Sequence, residues 1–99
     1  MLHGAITMIL SFRHKGLKRL YRDDDASKLP CVMVERISVI LAALDSAITI
    51  EAINRPSFRL HELKGDRKGE WAIVVRANWR ITFQFADGDA SDVSFEDYH

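Results

Sequence analysis

Residues 70 to 95 read EWAIVVRANWRITFQFADGDASDVSF. Apolar and polar side chains alternate along most of this stretch, which is typical of strands that bury one face. Three strands are predicted, at residues 70–76, 79–85 and 90–95. The Asp-Gly pair at 87–88 favours a tight hairpin turn, and Arg-Ala-Asn at 76–78 supplies the other connection. The stretch therefore predicts an antiparallel meander.

Upstream of the meander, the apolar residues change to a helical period. A short apolar strand is predicted at 6–12, and a helix at 13–25 has Leu17, Leu20 and Tyr21 at helical spacing. A longer helix is predicted to begin near Pro30. Its buried stripe comprises Val34, Ile37, Leu41, Leu44 and Ile48.

The residues after the long helix return to a strand period. Asn-Arg-Pro-Ser at 54–57 ends the helix, and residues 58–63 alternate weakly, as a further strand would. The order strand, helix, helix and meander indicates an α+β fold. This fold has a small, mostly antiparallel sheet with the two N-terminal helices packed on one face.

Length and composition narrow the class of protein. The 99 residues predict a single domain spanning 1–99, and Cys31 is the only cysteine, so an intrachain disulfide is impossible. The longest apolar-rich run, 37–53, is too short to span a bilayer, and no basic segment of a secretory signal precedes it. We expect a cytoplasmic protein without membrane contact. No His or Cys pair has metal-ligand spacing, which predicts no metal and no cofactor.

The charges are segregated although the chain is neutral overall. Residues 55–80 hold seven Lys and Arg against three acids, and residues 81–99 hold five acids and no Lys or Arg. Such segregation permits a local basic patch that binds phosphates or an acidic partner. On charge alone, solvated surfaces are the favoured interpretation.

The polar side chains of the meander are expected to share the face that points away from the helices. Arg59, His61, Arg76 and Arg80 are predicted to lie there, with Lys64, Arg67 and Lys68 on the adjoining loop. Gly65 and Gly69 bracket that loop and allow a ligand to approach the backbone. A basic, arginine-rich sheet face suits RNA. The alternative for His61 is a strand residue satisfied by its neighbours.

The sequence closes with three side chains that can move protons or bind a base. They are Asp97, Tyr98 and His99. Histidine titrates near neutral pH, a carboxylate can orient it, and tyrosine can stack on a base. A frayed tail is the alternative interpretation.

Five segments together carry a resemblance to a known family. They are SFRHKGL at 11–17, FRLHELKGDRKGEWAIVV at 58–75, NWRITFQF at 78–85, DGDA at 87–90 and EDYH at 96–99. The sequence resembles HigB-type toxins of the RelE/ParE superfamily, also called plasmid maintenance or host-killing proteins. The resemblance covers residues 8–99, and residues 1–7 are interpreted as an N-terminal extension.

The resemblance implies an activity and partners. Such toxins cleave mRNA, usually on the translating ribosome and without a metal. A HigA-type helix-turn-helix antitoxin neutralises them and represses the shared operon, so operator DNA is contacted only through the antitoxin. Positions that match the family place His61, Asp97, Tyr98 and His99 in the active site. Lys64, Arg67, Lys68 and Arg80 would form a basic shell, which we extend to Arg59 and Arg76.

RNA carries its own nucleophile, the 2′-hydroxyl, so an enzyme needs only a base, an acid and cations. In-line attack on the adjacent phosphate gives a 2′,3′-cyclic phosphate and a free 5′-hydroxyl. His61 and His99 are the candidates for base and acid, in either order. Asp97 would orient a histidine, Tyr98 would position a base, and Arg80 or Arg67 would stabilise the phosphate charge.

Two other functions are compatible with the sequence. One is a non-enzymatic inhibitor of DNA gyrase, as in the ParE branch of the superfamily. The other is a weak toxin that acts mainly as a co-regulator of its operon. Neither function needs the acid–base groups at positions 61 and 97–99.

Overall fold

The computed structural model describes residues 9–97. Its two α-helices are α1 (Lys15–Asp23) and α2 (Val34–Ser46). Its four strands are β1 (His61–Glu62), β2 (Glu70–Arg76), β3 (Trp79–Ala86) and β4 (Asp89–Asp97). The strands form one antiparallel sheet in the order β1-β2-β3-β4, which confirms the predicted α+β fold.

The meander folds as its alternation predicts. The predicted strand at 70–76 coincides with β2, while β3 is one residue longer than expected and β4 extends to Asp97. Asp87 (φ 54°) and Gly88 (φ 82°) both adopt the left-handed conformation between β3 and β4. This conformation at both central residues matches the right-handed twist of the flanking strands.

The segment ahead of α1 differs from the expected strand. Ile9 and Phe12 form isolated parallel bridges to Ala90 and Val93 of β4, and residues 6–8 lie outside the described residues. Between the two bridges Asp92 has a positive φ of 51°, which bends β4 away from a regular ladder. The side chain of Ser11 accepts a hydrogen bond from the Asp92 amide at 2.9 Å. The bend explains why a continuous strand does not form.

Helix α1 is shorter at both ends than predicted. His14 caps its start, because its Nδ1 accepts a hydrogen bond from the Leu17 amide at 3.3 Å. Burial lowers the pKa of His14, which favours the neutral ring that this acceptor role needs. Asp24 ends the helix in the left-handed conformation (φ 56°).

Helix α2 ends before the predicted stripe does. A short 3-10 turn, Cys31–Met33, leads into it, and Ala47 is already extended (ψ 131°). The prediction that Ile48 lies on the buried face was wrong, since the chain leaves the helix and Ile48 is 68% exposed. The rest of the stripe packs as expected, with Ile37, Leu41 and Leu44 buried.

The predicted strand at 58–63 is reduced to β1. Pro56 begins a 3-10 turn that ends at Phe58, and Arg59 takes the left-handed conformation (φ 50°). Phe58 is buried and has the guanidinium groups of Arg36 and Arg55 over its ring, at 5.2 and 4.9 Å. The proline and the anchored ring therefore leave only His61 and Glu62 in strand geometry.

The core lies between the helices and one face of the sheet. Ile37, Ile40 and Leu44 of α2 belong to the same buried cluster as Ile73 and Phe83 of the sheet. Each fully buried side chain of this size contributes about 1.5–3 kcal/mol to folding. Trp79 stacks on Phe95 at 4.6 Å and closes one end of the core. Among residues 9–97, no helix has the length and apolar character needed to cross a bilayer.

Substitution of two glycines tests the packing of the β3–β4 turn against Ile48. Gly65 and Gly88 both have positive φ, so replacing either with alanine costs about 1–2 kcal/mol of strain. A Cβ at Gly88 would also lie 3.3 Å from the carbonyl oxygen of Ile48, whereas nothing lies within 4 Å of one at Gly65. We expect Gly88→Ala to lower the free energy of unfolding more than Gly65→Ala, as measured by urea denaturation. An equal or smaller loss at Gly88 would contradict this packing.

Candidate active site

The register of the sheet defines one face away from the helices, here called the outer face. His61, Ala72, Thr82 and Ser94 lie side by side across the four strands. Directly opposed residues and residues two apart on a strand share a face, so the next row adds Val74, Arg80 and Glu96. The register thus places His61 and Arg80 on the same face. Ile73 and Ile81 point the other way, into the core.

The loop between β1 and β2 folds over the outer face through Arg67. It turns through Gly65–Arg67, with Gly65 (φ 68°) and Gly69 (φ 100°) in conformations that favour glycine. Its ends are tied together, since the Leu63 amide donates to the Glu70 carbonyl at 2.8 Å. The Gly69 amide donates to Glu62 Oε2 at 3.2 Å.

Arg67 bonds to two carboxylates that lie two strands apart. Its Nη1 and Nη2 each donate to Glu96 of β4 at 2.8 Å. Its Nη2 also donates to Glu70 of β2 at 2.8 Å, with Nε at 3.3 Å from the same carboxylate. On the strand between them, Thr82 is 1% exposed and its hydroxyl donates to Glu96 Oε2 at 3.0 Å. We call these four residues the Arg67 network.

The Arg67 network changes the electrostatics expected for this loop. The hydrogen bonds that Arg67 donates to Glu96, and then those to Glu70, raise the pKa of Arg67. The Arg67 guanidinium in turn holds the pKa of Glu96 below its usual range. One cation and two carboxylates sum to a net charge of −1. Arg67 therefore adds little free positive charge to the outer face, and its predicted role as a phosphate ligand stays a prediction.

His61 is exposed and has a defined orientation. Its Nδ1 lies 3.1 Å from the carbonyl oxygen of Arg59, a group that can only accept a hydrogen bond. In the neutral ring Nδ1 therefore carries the proton, and the basic lone pair lies on Nε2. That arrangement suits a general base or, once protonated, a general acid.

Arg80 lies at the edge of the outer face, next to the β2–β3 turn. Its Nη1 donates to the carbonyl oxygens of Ala77 and Trp79, at 2.7 and 3.3 Å, which holds the half-buried guanidinium over the turn. Across the strand pair, its partner in the register is Glu96. Arg80 thus lies in the same row of the outer face as Glu96 of the Arg67 network.

The other predicted site residues are less closely grouped. The side chains of Arg59, Lys64, Lys68 and Arg76 are all exposed. Asp97 is the exposed last residue of β4 and pairs with Trp79, so the register places it on the opposite side of the sheet from Glu96. Tyr98 and His99 lie outside the described residues. Their predicted roles stay predictions.

An open groove of about 230 Å³ lies elsewhere, between α1 and α2. Leu20, Tyr21, Leu41 and Asp45 are among the residues that line it, and no predicted site residue is among them. Within residues 9–97, no cluster of three or more His, Cys, Asp or Glu has the geometry to hold a metal ion.

Sequence reasoning missed Glu70, Thr82 and Glu96. Glu70 is three residues after Arg67, a spacing at which a pair can be suspected. Glu96 is twenty-nine residues from Arg67 and comes near it only through the sheet register. The polar position of Thr82 within a strand was visible, but its burial was not.

The fold and the outer face define a small α+β protein with an exposed histidine and Arg80 on one sheet surface, and exposed lysines on the adjoining loop. A family model described as a RelE-like toxin of type II toxin-antitoxin system HigB matches residues 10–99. The chain belongs to this HigB-like toxin family, as the sequence motifs predict.

Two relatives extend this result. The chain is 54% identical over 92 residues to "Endoribonuclease HigB" of Proteus vulgaris, which covers 93% of the chain and all of the relative. It is 33% identical over 85 residues to "Toxin HigB-1" of Vibrio cholerae serotype O1, which covers 84% of the chain and 90% of that protein. The first relative supports the prediction of an endoribonuclease.

Acid stability tests the Arg67 network. Because the folded-state pKa of Glu96 is lowered, its contribution is fully present above the ordinary value of 4.5 and is lost as pH falls below it. We expect Glu96→Gln to be less stable than the parent at pH 6 and to lose less further stability between pH 6 and pH 3. Urea midpoints at the two pH values measure this difference. The control is Glu51→Gln at an exposed position, and parallel pH profiles for Glu96→Gln and the parent would contradict the assignment.

Proposed function

We propose that this chain is a cytoplasmic, single-domain endoribonuclease that cleaves mRNA on the translating ribosome. The observation that carries the proposal is the orientation of His61 on the outer face, with Nδ1 on the Arg59 carbonyl oxygen and Nε2 available for proton transfer. Membership of the HigB-like toxin family and the 54% identical endoribonuclease support it.

The proposed reaction uses the 2′-hydroxyl of the RNA as nucleophile and needs no metal. One histidine, His61 or His99, takes the 2′-hydroxyl proton as the oxygen attacks the adjacent phosphorus. The bond to the 5′-oxygen breaks, and the other histidine donates a proton to that leaving oxygen. The products are a 2′,3′-cyclic phosphate and a 5′-hydroxyl. Asp97 is proposed to orient a histidine, and Tyr98 is proposed to position a base of the RNA.

Arg80 and the exposed cations are proposed to hold the phosphates. Lys64 and Lys68 flank the 3-10 turn of the loop, and Arg59 and Arg76 are exposed at strand ends. Arg80 is fixed by two carbonyl contacts on the same face as His61, which suits stabilisation of charge on the attacked phosphate. Each such stabiliser is worth about 100- to 1000-fold in rate.

The type II toxin-antitoxin family implies an antitoxin partner and an RNA substrate. We propose that this antitoxin is a HigA-type helix-turn-helix protein. It would neutralise the nuclease and contact operator DNA on behalf of the complex. The ribosome would present mRNA to the outer face.

Histidine substitution tests the proposed chemistry. We expect His61→Ala and His99→Ala each to lower single-turnover cleavage of ribosome-bound mRNA by about 100- to 10,000-fold, because each removes a proton-transfer group. Lys18→Ala, an exposed change on α1, is the control and should cleave normally. Antitoxin binding and urea midpoints should match the parent in all three, and wild-type cleavage by either histidine variant would contradict its assignment.

Mapping of RNA ends separates this function from the other two. After brief induction, new 5′ ends in phase with codons are expected, and cleavage should require ribosomes. Intact mRNA accompanied by DNA damage would instead indicate a gyrase inhibitor. Intact mRNA with normal growth and retained antitoxin binding would indicate an operon co-regulator.

A further inference from the structure

We propose that Arg67 is a positioning residue of the nuclease site, which holds the His61-bearing strand against the sheet and does not bind the RNA phosphate. This inference rests on the proposed function for its kinetic consequences. Its structural part, the clamping of β1 and its loop by the Arg67 network, stands on the contacts of Arg67, Glu70, Thr82 and Glu96.

The first argument is that the donors of Arg67 are already engaged. One edge of the guanidinium, Nε and Nη2, faces Glu70, and the other edge, Nη1 and Nη2, faces Glu96. Paired bonds of this kind have a fixed geometry and are among the strong hydrogen bonds of proteins. A phosphate would have to displace at least one carboxylate. The released carboxylate would then lie close to the incoming anion, so the exchange is unfavourable.

The second argument is the position of the bonds in the sheet. Arg67 belongs to the loop that follows β1, Glu70 begins β2, and Glu96 is near the end of β4. The guanidinium therefore joins the loop to both sides of β3. Thr82, buried on β3, fixes the Glu96 carboxylate from below with its hydroxyl. The ammonium group of a lysine has no forked arrangement of N–H donors, so it could not bridge these two carboxylates in the same way.

The third argument is that β1 itself is short and exposed, although Phe58 before it and Leu63 after it are buried. It pairs with β2 through only two residues, His61 and Glu62, and both are exposed. A pairing this short is marginal without tertiary support. The Leu63–Glu70 and Gly69–Glu62 hydrogen bonds close the loop on itself, and Arg67 attaches that closed loop to the far side of the sheet. Of these contacts, those of Arg67 link the loop after His61 directly to β4.

Local opening can be measured without any assumption about activity. The Leu63 amide, which donates to the Glu70 carbonyl, reports on the base of the loop. We expect Arg67→Met to speed hydrogen exchange at Leu63 by about tenfold or more while exchange in the core of β3 stays unchanged. Arg19→Met is the matched control, since Arg19 is paired only at the surface, 3.6 Å from Asp25. Unchanged exchange at Leu63 in Arg67→Met would overturn the proposal.

Kinetics distinguish positioning from phosphate binding. Loss of a positioning residue should lower the single-turnover rate by about 10- to 100-fold, because a displacement of the catalytic group by about 1 Å costs that much. The ribosome concentration that gives half of the maximal rate should change little. Lys64→Ala, which removes a proposed phosphate contact, should instead weaken binding and reduce its salt dependence. If Arg67→Met behaves like Lys64→Ala, the proposal is wrong.

The two carboxylates provide the sharpest comparison. Glu70→Gln and Glu96→Gln each remove negative charge from the outer face. If Arg67 bound phosphate, these changes would free it, and both RNA binding and cleavage would increase. If Arg67 positions β1, they should lower the rate as Arg67→Met does. The charge-exchanged double variant Arg67→Glu/Glu96→Arg should recover part of the rate, and Arg67→Lys should not.

The outcomes also separate this inference from the proposed function. If the parent protein leaves ribosome-bound mRNA intact, the proposed nuclease function has failed, and the Leu63 exchange experiment still decides whether Arg67 clamps β1. If the parent cleaves and the exchange is unchanged in Arg67→Met, the positioning role alone has failed.

Discussion

Burial of one face of the meander beneath α2 is the constraint on which the rest of the structure depends. Ile73, Ile81 and Phe83 lie in the core with Ile37 and Leu44 of the helix. Side chains alternate between the faces of a strand, so burial of this set fixes the direction of every neighbour. A shift of one residue would bury Arg80 and expose Ile81. The core therefore determines that Arg80, Thr82 and Glu96 lie on the outer face, in register with His61.

The outer face is built from two kinds of contact with different roles. The ion pairs of the Arg67 network, one local and one long-range, join β2 and β4 across β3 and carry a net charge of −1. His61 and the loop residues Lys64 and Lys68 are exposed outside this network. In the proposed reaction the RNA supplies the nucleophile. The enzyme therefore needs its acid–base groups held in fixed positions more than it needs additional positive charge. The Arg67 network supplies the paired groups, and exposed lysines of the same loop supply positive charge.

Most of the fold could be predicted because its signals are local. The alternation in 70–95 and the Asp-Gly turn predict β2, β3 and β4, since period and turn conformation depend on neighbouring residues. The errors arise where a sequence pattern continues beyond the point at which tertiary packing ends the helix or strand. The helical stripe includes Ile48, but the chain leaves α2 at Ser46 and exposes it. The weak alternation at 58–63 is interrupted because Phe58 is drawn into the core between two arginines.

The sequence by itself determined the class of the protein, the meander, and the residue types that can cut RNA. It also predicted that His61 and Arg80 share a face, and the register of β1, β2 and β3 places them there. Only the tertiary structure decided that Arg67 faces two carboxylates, since Glu96 lies twenty-nine residues away and is brought close by register. The tertiary structure likewise decided the orientation of His61, through the carbonyl group of a left-handed Arg59. Residue type limits what a side chain can do, but the partners that fold against it decide which of those roles remains open.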